Sequence, residues 1–129
     1  TANWNRAQAA ARTAQWLEEF GDGIEVIFAN NDDMALGAID ALADTPRERW
    51  PLIVGVDATA PALEAVAAGQ LYGTVHNDGR GQAEAMLDLA LALWNGEDPA
   101  QAVELSAGHY VWLPYRPVTM ENLKEFQEK

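Results

Sequence analysis

Three short apolar runs, each ending at Asn or Asp and each followed by a helix-like stretch, constrain this chain more than any other feature. IEVIFA (24–29) stops at Asn30-Asn31-Asp32-Asp33, LIVGV (52–56) stops at Asp57, and LYGTVH (71–76) stops at Asn77-Asp78. The runs are apolar throughout rather than alternating, as in strands covered on both faces. Between them, apolar residues recur three and four apart, which is the helical period. Strands alternating with helices build βαβ crossovers and a largely parallel sheet.

The same reading extends to the whole chain. A helix is expected over 5–20, with Ala7, Ala11, Ala14, Leu17 and Phe20 on one side and Gly21-Asp22-Gly23 as its stop. A second follows over 32–44, with Met34, Ala35, Ile39, Leu42 and Ala43 turned inward. A loop with Pro46 and Pro51 leads to the strand at 52–57, then a short helix over 60–69 and the strand at 71–77. A long helix over 79–94 ends at Asn95-Gly96, HYVWLP (109–114) reads as a fourth strand, and 121–129 reads as a closing helix. The fold class is therefore α/β with a parallel sheet, and no tandem repeat interrupts it.

Composition narrows the function classes. A length of 129 residues suits one domain, and 49% hydrophobic residues supply a core. No apolar run is long enough to span a membrane, and no basic-then-apolar start resembles a signal peptide. No Met opens the chain, as expected of a processed or partial product. With no Cys, disulfides and thiolate metal sites are excluded, which suits an oxidising compartment. A net charge of −12 repels phosphate backbones, so nucleic acid is not an expected partner. Anionic membranes and anionic ligands are disfavoured for the same reason, and a neutral or cationic ligand fits better. Most of the 20 acidic residues serve only to keep the surface solvated.

In parallel α/β sheets, ligands sit beyond the carboxyl ends of the strands. Asn31, Asp57 and Asn77 stand there, one after each run. Asn and Asp at such junctions also cap the following helix by accepting its free amides. One residue per junction can cap, yet residues 30–33 supply four. An amide offers donor and acceptor together, and a carboxylate offers paired acceptors. That set suits a polyol with vicinal hydroxyls and suits a phosphate poorly. Trp4 precedes the first helix, where it either packs or lays a flat indole against the apolar face of a sugar ring. Trp16, Trp50, Trp94 and Trp112 read as core or surface packing.

No GxSxG, P-loop or HExxH pattern occurs. His76 and His109 have no Cys and no nearby His; His76 is expected to pack at a strand end. Asp32 and Asp78 read as helix caps. No nucleophile, base and orienter set is visible, so an enzyme is not expected.

Five stretches carry a resemblance: TANW (1–4), IEVIFANNDDMALGAIDAL (24–42), VGVDA (54–58), LYGTVHNDGRGQAEAMLDLA (71–90) and VWLPYRPVTMENLKEF (111–126). Together they resemble the periplasmic galactose/glucose-binding protein family, sugar-binding components of ABC transporters that also feed chemotaxis. The resemblance covers nearly the whole chain but only the C-terminal portion of the family's length. It implies a type I periplasmic-binding-protein-like architecture of two α/β lobes with the ligand between them. Trp4 then matches a tryptophan stacked on the pyranose, Asn31 an asparagine bonding ring hydroxyls, Asp57 a carboxylate accepting from two hydroxyls, and Asn77 an asparagine near the hinge. Glu25 matches a calcium ligand. The oxygen-rich loop giving most of the other calcium ligands is absent, and Glu25 alone does not supply the roughly six to eight oxygens calcium takes. No cofactor is required, and calcium is an expectation for the complete protein only.

The resemblance also implies a layout. Residues 1–77 would form a C-terminal sugar-binding lobe segment, 78–110 would belong to the N-terminal lobe, and 111–129 would return as a strand and closing helix. The implied partners are a monosaccharide such as galactose or glucose, a membrane permease and a chemoreceptor, in the periplasm or outside the cell on a lipid anchor. Pieces of two lobes should expose sheet edges and apolar helix faces, favouring association with a missing N-terminal segment or a second copy. The runner-up reading is the sugar-sensing effector domain of a LacI-type transcription regulator, which shares the fold; the acidic charge and the motif match favour transport.

Overall fold

The computed structural model describes residues 1–127, so the last two residues of the expected closing helix, Glu128 and Lys129, lie outside the described residues. The chain divides into two compact units, residues 1–76 with 116–129, and residues 77–115.

The first unit opens with α1 (Arg6–Phe20), which starts where the Asn5 side chain accepts from the Gln8 amide at 2.9 Å and ends at Gly21 with φ 53°. β1 (Val26–Phe28), α2 (Asp32–Ala41), β2 (Leu52–Val54), α3 (Ala60–Ala67) and β3 (Gly73–His76) follow, then β4 (Arg116–Thr119) and α6 (Lys124–Gln127) after the chain returns. The strands lie in the order β1-β2-β3-β4. The first three run parallel, with Val26, Ile27 and Phe28 opposite Leu52, Ile53 and Val54, and β4 is antiparallel to β3.

The core lies between the sheet and its helices. Ile27, Ile53, Leu36, Ile39, Leu63, Val66 and Phe126 are buried together there. α1 crosses α2 at Gly37, where an added Cβ would stand 2.3 Å from the Arg6 carbonyl oxygen and 2.9 Å from the Ala9 Cβ. Only glycine permits that approach, and Ala9 and Thr13 are buried by it.

Several expectations change. The inward face of α1 carries Ala9 and Thr13, whereas Ala7, Ala11, Ala14 and Phe20 are exposed. The fourth strand is Arg116–Thr119 rather than 109–114, where Tyr110 makes an isolated bridge with Ser106. HYVWLP is the more apolar run, but β4 needs just one buried anchor, Val118, and its Pro117 is tolerated at the sheet's edge. The closing helix starts at Lys124 instead of 121, because Asn122 accepts from the Thr119 amide and donates to the Pro117 carbonyl, each at 2.9 Å, making a turn first. The uniformly apolar runs suggested strands covered on both faces. Ile27 and Ile53 face the helices, whereas Val26, Leu52 and Phe28 are exposed, Phe28 at 82%. β1 also lies at the sheet's edge, paired with β2 alone among the described residues.

The second unit contains α4 (Gly79–Asn95), which starts where Asp78 accepts from the Gly81 amide at 2.9 Å and ends at Gly96 in the left-handed region. It also holds the unanticipated α5 (Pro99–Ala102), opened by Asp98. Ala92 is the buried residue of α4, and Met86, Leu91, Leu93 and Trp94 are exposed.

Candidate functional site

Because β1 and β2 are parallel neighbours, their carboxyl ends open at one edge, and Asn31 and Asp57 follow them there. A backbone bond joins the two turns, from the Asp32 amide to the Val56 carbonyl at 2.8 Å. Asn31 and Asp57 flank that bond.

Asn31 is half-buried and caps α2, its Oδ1 accepting from the Met34 amide at 3.0 Å. The capping reading therefore holds for Asn31. Capping uses one lone-pair direction of Oδ1, and the amide's NH₂ remains a donor for a ligand.

Asp57 is half-buried, and its amide donates to the Val75 carbonyl at 2.8 Å. Its φ is 115°, and the next residue, Ala58, has φ 57°. Two consecutive non-glycine residues in that region are uncommon and strained, a pattern concentrated at functional sites.

Asp32 departs from its expected role. The cap of α2 is Asn31, and Asp32 is completely buried one residue inside the helix. Its Oδ1 accepts from the Thr74 hydroxyl at 2.7 Å and its Oδ2 from the Thr59 amide at 2.7 Å. Thr74 Oγ1 in turn accepts from the Ala58 amide at 3.2 Å. Burial pushes the Asp32 carboxyl above the ordinary carboxylate range, the bonds from Thr74 and Thr59 pull against it, and the nearby Asp57 charge adds to the rise. Gly55 makes room, since a Cβ there would lie 2.4 Å from Asp32 Oδ1. The surplus of polar residues at 30–33 was the only sequence signal of this network.

Trp4 sits in a turn before α1, where Asn3 and Trp4 both have positive φ, and it is 71% exposed. A groove of about 220 Å³ in the same unit is lined by residues that include Ala2, Trp16, Phe28, Asn30 and Met34. His76 packs at its strand end as expected, its ring 5.3 Å from Phe126. Asn77 is the first residue of the second unit, and its Oδ1 accepts from Gln82 Nε2 at 2.7 Å. Asp78 is a cap, as expected. Glu25 is exposed just before β1. Among the described residues no group of three or more His, Cys, Asp or Glu is placed to hold a metal.

A parallel sheet whose carboxyl edge carries an amide and a strained carboxylate has the layout at which α/β folds take small ligands. Residues 1–98 match the family model described as periplasmic binding protein domain, and the chain belongs to that family. It is similar to a Rhizobium meliloti protein named for rhizopine binding, 42% identical over 100% of this chain and 39% of that one. It is also similar to the D-galactose/methyl-galactoside binding periplasmic protein of Haemophilus influenzae, 36% identical over 98% of this chain and 39% of that one. Among solved structures, an ABC transporter solute binding protein from Bacillus halodurans with bound myo-inositol superimposes with a TM-score of 0.84 and 36% identity, over 98% of this chain and 41% of that one. The chain thus spans about two fifths of the length of these relatives. All three are named as binding proteins, none as an enzyme or a transcription regulator. The family is wider than the galactose/glucose-binding proteins that the motifs resemble.

Proposed function

We propose that this chain carries part of the sugar cleft of a periplasmic solute-binding component of an ABC transporter. The observation that carries this reading is the pairing of Asn31 and Asp57 on either side of the Asp32–Val56 backbone bond, at the carboxyl edge of the sheet. In the proposal Asp57 accepts from two ligand hydroxyls, the Asn31 amide donates, Asn77 contributes from beside a hinge, and Trp4 covers the apolar face of the ring. Charge-assisted bonds of this kind contribute roughly 1.5–3 kcal/mol each. Residues 1–76 with 116–129 would then belong to one lobe and 77–115 to a second.

The ligand is proposed to be a neutral polyhydroxylated ring. The motif resemblance favours galactose or glucose, while relatives named for rhizopine and galactoside, and a structure with myo-inositol, support the broader class of monosaccharides and cyclic polyols. A net charge of −12 agrees with an uncharged ligand. The proposed partners are the membrane permease and, at greater remove, a chemoreceptor.

Calorimetric titration of the complete protein with D-galactose, D-glucose, myo-inositol and xylitol tests the reading. Asp57→Ala should weaken the best ligand by about 2 kcal/mol, roughly thirtyfold, because it strands buried hydroxyls. An unchanged affinity refutes the role of Asp57.

A further inference from the structure

The turn at residues 57–59 is held at three successive amides. Asp57 donates to the Val75 carbonyl at 2.8 Å, Ala58 to Thr74 Oγ1 at 3.2 Å, and Thr59 to Asp32 Oδ2 at 2.7 Å. Two of the three acceptors are side chains, and the Thr74 hydroxyl donates to Asp32 Oδ1 at 2.7 Å, linking them. Both side chains are buried, Thr74 at 3% exposure and Asp32 at 0%.

A carboxylate at a core position is costly unless its oxygens are bonded. Asp32 is not needed to start its own helix, which Asn31 caps. Nor do these bonds cap α3 in the ordinary way, which would satisfy amides inside its first turn. Thr59 is the residue before that helix, and Ala58 is one further out. The bonds therefore fix the turn rather than the helix. The turn needs fixing, because Asp57 and Ala58 both hold positive φ without being glycine, a state that persists only when the surroundings impose it.

We propose that Asp32 and Thr74 are positioning residues for ligand, holding the 57–59 turn in the one conformation that presents the Asp57 carboxylate. This rests on the reading of Asp57 as a hydroxyl acceptor. Neither Asp32 nor Thr74 touches ligand; each acts through Asp57.

The test uses the complete protein, with the best ligand of the panel D-galactose, D-glucose, myo-inositol and xylitol as probe. Thr74→Val keeps the shape and removes the hydroxyl; Thr74→Ser keeps the hydroxyl and trims a methyl. Thr74→Val is expected to accelerate amide hydrogen exchange in the 57–59 segment and to weaken binding about tenfold, since a buried charge-assisted bond is lost. Thr74→Ser is expected to restore both. Affinity of Thr74→Val within twofold of the unmodified protein, or equal damage in both variants, overturns the proposal. If Thr74→Val does not fold, Asp32→Asn is read instead, because an amide oxygen offers Thr59 and Thr74 one shared acceptor where the carboxylate offers two. Its unchanged affinity likewise overturns the proposal. If Asp57→Ala binds normally while Thr74→Val exchanges faster, the acceptor role of Asp57 fails and only the holding of the turn survives.

Discussion

His76 stands opposite Arg116 in the antiparallel pairing of β3 with β4, and the two residues mark where the chain leaves the first unit and where it returns. Both rest on Phe126, with the His76 ring at 5.3 Å and the Arg116 guanidinium carbon 4.7 Å from the ring centre. A four-residue helix near the end of the described chain thus supplies the platform under both passages. Phe126→Ala should cost about 3 kcal/mol or more, as expected for a buried aromatic. Urea unfolding that shows a loss below about 1 kcal/mol would contradict that platform role.

Substitutions at Asn31 separate its two roles. Serine retains an oxygen to accept from the Met34 amide but has no amide donor. Asn31→Ser should leave stability within about 0.5 kcal/mol and weaken sugar binding, whereas Asn31→Ala should lose about 1 kcal/mol of stability as well. Thermal melts paired with calorimetry on the complete protein check both. Full affinity in the serine variant would leave Asn31 as a cap and nothing more.

Gly37→Ala reverses the ordinary rule for helices. At an exposed helical site the change would gain up to about 1 kcal/mol. At this crossing the new methyl meets the Arg6 carbonyl oxygen at 2.3 Å, so a loss of about 1–3 kcal/mol is expected. Equilibrium denaturation decides by its sign, and a stabilised variant would contradict the close crossing of α1 and α2.

Asp32 and Asp40 should respond to pH in opposite directions. The bidentate bond from Arg6 to Asp40, at 2.6 and 2.8 Å, lowers the Asp40 carboxyl below its ordinary range. Its contribution is present above the unfolded-state value and is lost as pH falls through the folded one. Because both side chains are about half exposed, Asp40→Asn should cost less than about 1 kcal/mol at neutral pH. Asp32 is raised by burial, so the native state holds that proton longer. Stability then declines as pH climbs from the unfolded carboxylate value to the higher folded one. Unfolding free energies across mildly acidic pH should lose this declining component in Asp32→Asn; an identical profile would contradict the raised carboxyl.

The three parallel strands were legible because apolar runs broke sharply at polar residues. β4 was not, since a strand with Pro117 and a single buried side chain leaves little pattern, while 109–114 looks more strand-like. The positions of Asn31 and Asp57 followed from strand ends alone. The task of Asp32 did not, because it depends on Thr74, 42 residues away, and on a backbone conformation at Asp57 that no local residue type announces. Exposure of Phe28 was equally hidden, as the sequence shows that a strand is apolar but not which of its faces is covered.

The uncovered side of β1 and β2 sets a concentration scale for the chain on its own. In dilute solution water wets Val26, Phe28 and Leu52, and the outer rim of β1 offers its amides and carbonyls to solvent. As molecules crowd, that rim becomes a template for the next extended segment to arrive. Light scattering that climbs with protein concentration is the behaviour to expect, and a lysine in place of Phe28 is the smallest edit that should suppress it.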